Sequence, residues 1–210
     1  GDGIMSSVAK KIIQAASDTA DNNLEFIGQK WGSSTVTVTR GVDYEDGDLL
    51  FSYMHYYSNN AISPESGWTL INSGLYNVYQ SFAFSYRIAG ASSYTTNNGN
   101  RDNVIVIFRP TGYGTFTEVD ADEGLNGATA SITMTDTNDS LYIGFGSAIS
   151  GVLSVITKPS FATEVDVTGS DFDVKFFWAY QEAGHGNTGT QTLDVSGTFE
   201  LATAAQFDLT

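Results

Sequence analysis

The side chains in this sequence best suited to chemistry are acidic and closely spaced. Asp120-Ala-Asp122-Glu-Gly124 and Asp136-Thr-Asn-Asp139 offer carboxylate oxygens within a few residues of one another, the hard ligands that calcium takes. Asp120, Asp122 and Asp139 are therefore the candidate metal ligands, and calcium is the only cofactor expected. The first run lacks the glycine and the distal glutamate of an EF-hand loop. Zinc is poorly served, because the chain has two histidines, His55 and His185, and no cysteine. The lack of cysteine also excludes disulfides and thiol catalysis. No Gly-x-Ser-x-Gly elbow accompanies either histidine. Glycan hydrolysis would need two carboxyl groups facing each other across a cleft, and no acidic residue sits in a recognisable motif of that kind. The expectation is a protein that is not an enzyme.

Binding is the other chemistry in view. Sugar sites on β-proteins use aromatic faces flanked by amide and acid side chains. Tyr56, Tyr57 and Asn59 cluster at one predicted strand end, Tyr94 and Asn98 at another, and Tyr113 lies among glycines. These are the candidate ligand-binding residues. Aromatics in such positions also serve as core plugs, and both readings stand at this point.

The elements that must carry these residues are strands. In 76–88 one face holds Tyr76, Val78, Gln80, Phe82, Phe84, Tyr86 and Ile88, the period of two of a strand with one buried face. The pattern recurs where Phe172, Val174, Phe176, Trp178 and Tyr180 alternate with Asp173, Lys175, Phe177 and Ala179. Strands are expected near 24–30, 35–40, 48–57, 67–72, 75–89, 103–109, 128–135, 140–147, 152–157, 172–181 and 192–209, the last broken at Gly197. Residues 103–109 are apolar on both faces and fit a central strand. The Gly-rich, acidic stretch 110–127 is expected to be a long loop. Many strands without intervening helices predict an all-β chain, a single antiparallel β-sandwich of jelly-roll type spanning 24–210.

Residues 1–23 differ. Ile4, Val8 and Ile12 fall on one stripe of a predicted short N-terminal helix, followed by a polar linker. Such a helix is marginal alone, so this segment is the candidate attachment device, docking on its own body, on another copy or on a partner. The net charge is −15 over 210 residues, and no basic stripe exists. Nucleic acid and anionic membranes are not expected partners. No apolar run is long enough to span a bilayer.

The series Gly47-Asp-Leu-Leu50, Pro64-Glu-Ser-Gly-Trp-Thr-Leu70, Phe84-Ser-Tyr-Arg-Ile-Ala89, Ser93-Tyr-Thr95 and Val104-Ile-Val-Ile-Phe-Arg109 resembles a β-sandwich module of phage tail and virion structural proteins and of bacterial surface proteins. Asp139-Ser-Leu-Tyr-Ile-Gly-Phe145 and Ser196-Gly-Thr-Phe199 are similar to its second half. The sequence departs from the module at Pro110, where a glycine follows the arginine. The resemblance implies a virion structural protein, in a capsid decoration or a tail or fibre, that works in assembly or host attachment. Its partners would be other virion proteins, further copies of itself or host surface glycans. The alternative is a carbohydrate-binding module or adhesin at a bacterial surface, hence extracellular. The resemblance supplies no catalytic residues.

Overall fold

The computed structural model describes residues 24–56, 60–76, 80–97, 103–125, 128–148, 150–168 and 173–210. The predicted helix with Ile4, Val8 and Ile12 lies outside them. The described residues are all-β, without a helix. In chain order the strands are β1 (Leu24–Gly32), β2 (Thr35–Thr39), β3 (Leu49–Tyr56), β4 (Thr69–Tyr76), β5 (Gln80–Ile88), β6 (Ser93–Asn97), β7 (Asn103–Pro110) and β8 (Phe116–Leu125). They continue as β9 (Thr129–Met134), β10 (Asp139–Ala148), β11 (Ser150–Thr157), β12 (Thr163–Thr168), β13 (Asp173–Gln181), β14 (Gly189–Thr198) and β15 (Leu201–Leu209).

These strands build four antiparallel sheets, ordered β1-β7-β3-β5-β4, β12-β13-β10-β15-β8, β11-β14-β9 and β2-β6. The largest core lies between the two five-stranded sheets. Phe51 and Tyr53 of β3, Phe82 and Phe84 of β5 and Phe108 of β7 meet Phe145 of β10, Phe176 of β13 and Phe207 of β15 there. Tyr53 and Phe145 stack with centroids 4.9 Å apart and planes 4° from parallel. Each fully buried ring of this kind contributes roughly 1.5–3 kcal/mol.

The opposite faces of the central strands are covered as well. Phe177 and Ala179, on the other face of β13, pack with Tyr142 against Leu193, Val195 and Ile132 of the three-stranded sheet. Leu50, Ile105 and Ile107 pack against Val36, Val38 and Tyr94 beneath the two-stranded sheet. Strands buried on both faces are expected to be apolar almost throughout, as β3, β7 and β10 are. Glycines bring the third sheet close. A Cβ on Gly146 would meet Val195 at 2.9 Å, and one on Gly144 would meet Leu193 at 3.2 Å.

Several expectations need correction. Residues 116–125 are strand β8, not part of a loop; their acidic side chains hide a strand that pairs with β15 from Phe116↔Leu209 to Leu125↔Leu201. Residues 75–89 are not one strand, because β4 ends at Tyr76, which pairs with Gln80 at the start of β5. Ser73 and Gly74 lie within β4, beyond the expected end at 72, and a Cβ on Gly74 would meet the Phe82 ring at 2.7 Å. The last long segment breaks after Thr198 rather than at Gly197. There Phe199 takes φ 56°, and its carbonyl accepts a hydrogen bond from Gln80 Nε2 at 3.2 Å. Strands β6 and β12 were not expected.

Side-chain amides bridge the flanks of the two large sheets. Gln29 of β1 donates to the Asp166 carbonyl of β12 at 3.3 Å. Asn72 of β4 donates to the Asp122 carbonyl of β8 at 3.1 Å. Each edge strand thus meets an edge of the facing sheet instead of solvent alone.

Candidate functional site

Two residues assigned to different roles by sequence meet in space. Tyr113 was a candidate ligand-binding aromatic and Asp139 a candidate calcium ligand. The segment after β7 brings the Tyr113 hydroxyl to Asp139 Oδ2, to which it donates at 2.5 Å. Tyr180, near the end of β13, donates to the same oxygen at 3.2 Å, and the two phenol oxygens lie 2.8 Å apart. The other carboxylate oxygen accepts the Ala183 backbone N–H at 2.9 Å. Tyr180 enters the site because the aromatic face of β13 runs on past Trp178 to the strand end, where the phenol reaches partly polar surroundings. The period of two carries that signal, though nothing local in the sequence links it to Asp139.

The electrostatics of this cluster favour a fixed charge. The hydrogen bond from Tyr113 holds the Asp139 carboxyl below its usual range against partial burial, helped by the Ala183 N–H and by Tyr180. Burial pushes the Tyr180 phenol upward, and the contacts with Tyr113 and Asp139 add to this. Both phenols therefore donate to an ionised carboxylate. The Tyr113 ring also packs against the main core. The arrangement braces the entry to β10, and its half-buried phenol edge is the part that a polar ligand could meet.

The other predicted residues fall elsewhere. Asp120 and Asp122 project from β8 toward the free edge of β9. Asp122 Oδ2 accepts the Ser131 N–H at 2.7 Å, and Asp120 Oδ2 accepts the Thr133 N–H at 2.6 Å. They share no cluster with Asp139, and among the described residues no group of three or more His, Cys, Asp or Glu gathers as a metal site. Beside them, burial raises the carboxyl groups of Glu118 and Glu123, with a further push from Asp120 and Asp122 respectively.

Tyr94 is buried, 7 % exposed. Its hydroxyl accepts the N–H groups of Gly90 and Ala91 at 2.7 and 2.8 Å, and the Arg87 guanidinium lies 3.7 Å from its ring centroid. Tyr56 is half-buried at the end of β3. Tyr57, Asn59 and Asn98 lie outside the described residues. His55 is fully buried on the Phe51 and Tyr53 face of β3, whereas His185 is exposed in the loop after β13.

A second constellation joins residues from separate motifs. Asp48 binds Arg109 at two points, from Nε to Oδ1 at 3.0 Å and from Nη2 to Oδ2 at 2.8 Å. Backbone bonds tie Gly47 N to the Ala89 carbonyl at 2.9 Å and Ala89 N to the Asp48 carbonyl at 2.8 Å. Arg87 lies over Trp68, 5.6 Å from the ring, as well as over Tyr94. Gly67, with φ +84°, leaves room for that guanidinium, since a Cβ there would meet both Nη atoms at 3.3 Å. Trp68 is thus a plug, 8 % exposed. The corner is structural in its chemistry, with every named group engaged in packing or hydrogen bonding.

Comparisons with known proteins add no assignment. No family model matches the chain, and neither a curated protein nor a solved structure matches it at a significant level.

Proposed function

We propose that this chain is a non-enzymatic structural protein of a phage virion, a capsid decoration or a tail or fibre component, acting in assembly or host attachment at the virion surface. The observation that carries this reading is the ordered motif series, together with its convergence. Asp48, Trp68, Arg87, Ala89, Tyr94 and Arg109, one or two from each motif, join at one corner through the contacts described above. A series that folds back on itself in this way supports a shared structural module over a chance run of short strings.

In this reading the two five-stranded sheets form the body of a single jelly-roll-like β-sandwich. Residues 1–23 form a helix and linker that dock on a neighbouring virion protein or another copy through Ile4, Val8 and Ile12. The test is copurification of the chain with assembled particles at fixed stoichiometry, with and without residues 1–23. A truncated chain that folds but no longer joins particles supports the reading. A full chain never found with particles ends it.

The half-buried Tyr113 phenol beside the ionised Asp139 favours a second reading, a carbohydrate-binding module or adhesin at a bacterial surface. Sugar hydroxyls suit such a pair. A glycan-array signal lost on Tyr113→Phe would support it. Calcium at Asp120, Asp122 or Asp139 remains a proposal within either reading.

A further inference from the structure

We infer that the boundary between the first five-stranded sheet and the β2-β6 sheet holds a binding site for internal water, ringed by Ser52, Ser85, Thr96 and Asn103. Ser52 of β3 and Ser85 of β5 stand directly opposite each other, and Ile105 is Ser52's partner on the other side. They share the face that Leu50 and Ile105 turn toward the two-stranded sheet. Directly opposed side chains on one face of an antiparallel pair have Cβ atoms about 4.5–5.5 Å apart. Thr96 comes from the covering layer. It lies two residues beyond Tyr94, whose ring meets Arg87, and Ser85 is the next residue along on the Arg87 face of β5. Asn103 of β7, opposite Met54, closes one end, where its Nδ2 donates to the Ser34 carbonyl at 2.8 Å.

All four residues are at most 1 % exposed. Yet Ser52 Oγ, Ser85 Oγ, Thr96 Oγ1 and Asn103 Oδ1 have no hydrogen-bond partner among the described residues. Buried polar oxygens are costly when unpaired and are normally satisfied, so four of them at one layer boundary point to a molecule that binds them. The chemistry selects the occupant. The hydroxyls donate and accept, whereas the Asn103 oxygen only accepts. Arg87 Nε, at the Tyr94 end and also unpartnered, only donates. An anion would meet the Asn103 oxygen, and a cation would meet the Arg87 guanidinium. A small neutral molecule that both donates and accepts suits every member, and water, which makes about three hydrogen bonds in such sites, is that molecule. A larger polyol would have to lift the two-stranded sheet to enter. The site stands apart from both functional readings above.

The test is oxygen-17 relaxation dispersion of water in a solution of the full chain, which counts long-lived internal waters and is not mimicked by exchange of serine hydroxyl protons. Long-lived water is expected in the unaltered chain, and less of it in the variant S52A/S85A/T96V, which removes the three hydroxyls. The urea midpoint of that variant should fall, because each hydroxyl gives up a bond to bound water. Hydroxyls left dry predict the opposite sign, since deleting an unpaired buried hydroxyl relieves its desolvation cost and raises the midpoint. Where the triple variant does not fold, S85A alone gives the sign of the shift. An unaltered chain with no long-lived water overturns the inference. So does a folded triple variant that keeps the full signal, and so does a raised midpoint in either variant.

Discussion

Asp48 and Arg109, 61 residues apart, form a two-point ion pair in which the Asp48 side chain is 3 % exposed and that of Arg109 39 %. The carboxylate also accepts the Glu45 N–H at 2.8 Å. The pair therefore orders the turn into β3 and fastens it to the end of β7. Removing one partner of a fully buried pair costs about 3–5 kcal/mol. Water reaches Arg109, so Asp48→Ala should cost less, about 2–3 kcal/mol in urea denaturation. A double-mutant cycle with Arg109→Ala should show coupling between the two positions. Additive losses would mean that the contact contributes nothing of its own.

The Tyr113–Asp139 contact makes a pH-dependent prediction. The folded-state pKa of Asp139 is depressed, first by the Tyr113 hydroxyl. Its contribution is thus present above the unfolded value, about 3.9, and is lost as pH falls through the lower folded value. Tyr113→Phe should cost about 1–2 kcal/mol at pH 7, as expected for a hydrogen bond to a charged group. The gap from the unaltered protein should narrow as the acid limb is reached. An equal gap at neutral and acid pH would assign the loss to packing alone.

Core truncations should rank by burial. Phe145 is fully buried and touches the rings of Tyr53, Phe84 and Phe176. Trp178 is half-buried against Phe26 and Phe108, at 5.6 and 5.4 Å. Phe145→Ala should cost about 3–5 kcal/mol. Trp178→Ala should cost less, about 2–3 kcal/mol, because part of its ring already meets water. A reversed order in chemical denaturation would contradict the placement of the main core.

The sequence announces the inner faces and is nearly silent on the outer ones. Val174, Phe176, Trp178 and Tyr180 line the main core as their alternation predicts. The opposite face of the same strand looked mixed, yet Phe177 and Ala179 are buried beneath a third sheet. Small residues carry that second packing layer. Gly144 and Gly146 have no hydropathy signal, but their missing side chains are what let β14 approach. Strand β12 was not expected, although Val165 and Val167 alternate with Glu164 and Asp166 over its six residues. Strand β8 is not legible, because four of its ten side chains are acidic and its role is set by contacts with β15 and β9 that no local pattern records. The meeting of Tyr113 with Asp139 is hidden for the same reason, lying across 26 residues and two elements.

The placement of Asp120 and Asp122 gives the last prediction. Each sends one carboxylate oxygen to an outward N–H of β9, Thr133 and Ser131 respectively. Those amides would otherwise form an open strand edge, available for pairing with another chain. In D120A/D122A the Ser131 and Thr133 amides should exchange hydrogen faster by about tenfold or more, while amides in β10 and β15 keep their protection. Stability should fall by about 1–3 kcal/mol in total, since both sites are partly solvated. The same variant separates capping from metal binding. If these carboxylates hold calcium, millimolar calcium should raise the melting temperature through ligand linkage, and D120A/D122A should abolish the rise. An unaltered melting curve after exhaustive chelation and calcium addition removes the metal and leaves the cap. Unchanged exchange at Ser131 and Thr133 in the variant removes the cap, because a free edge amide cannot keep its protection once its only acceptor is gone.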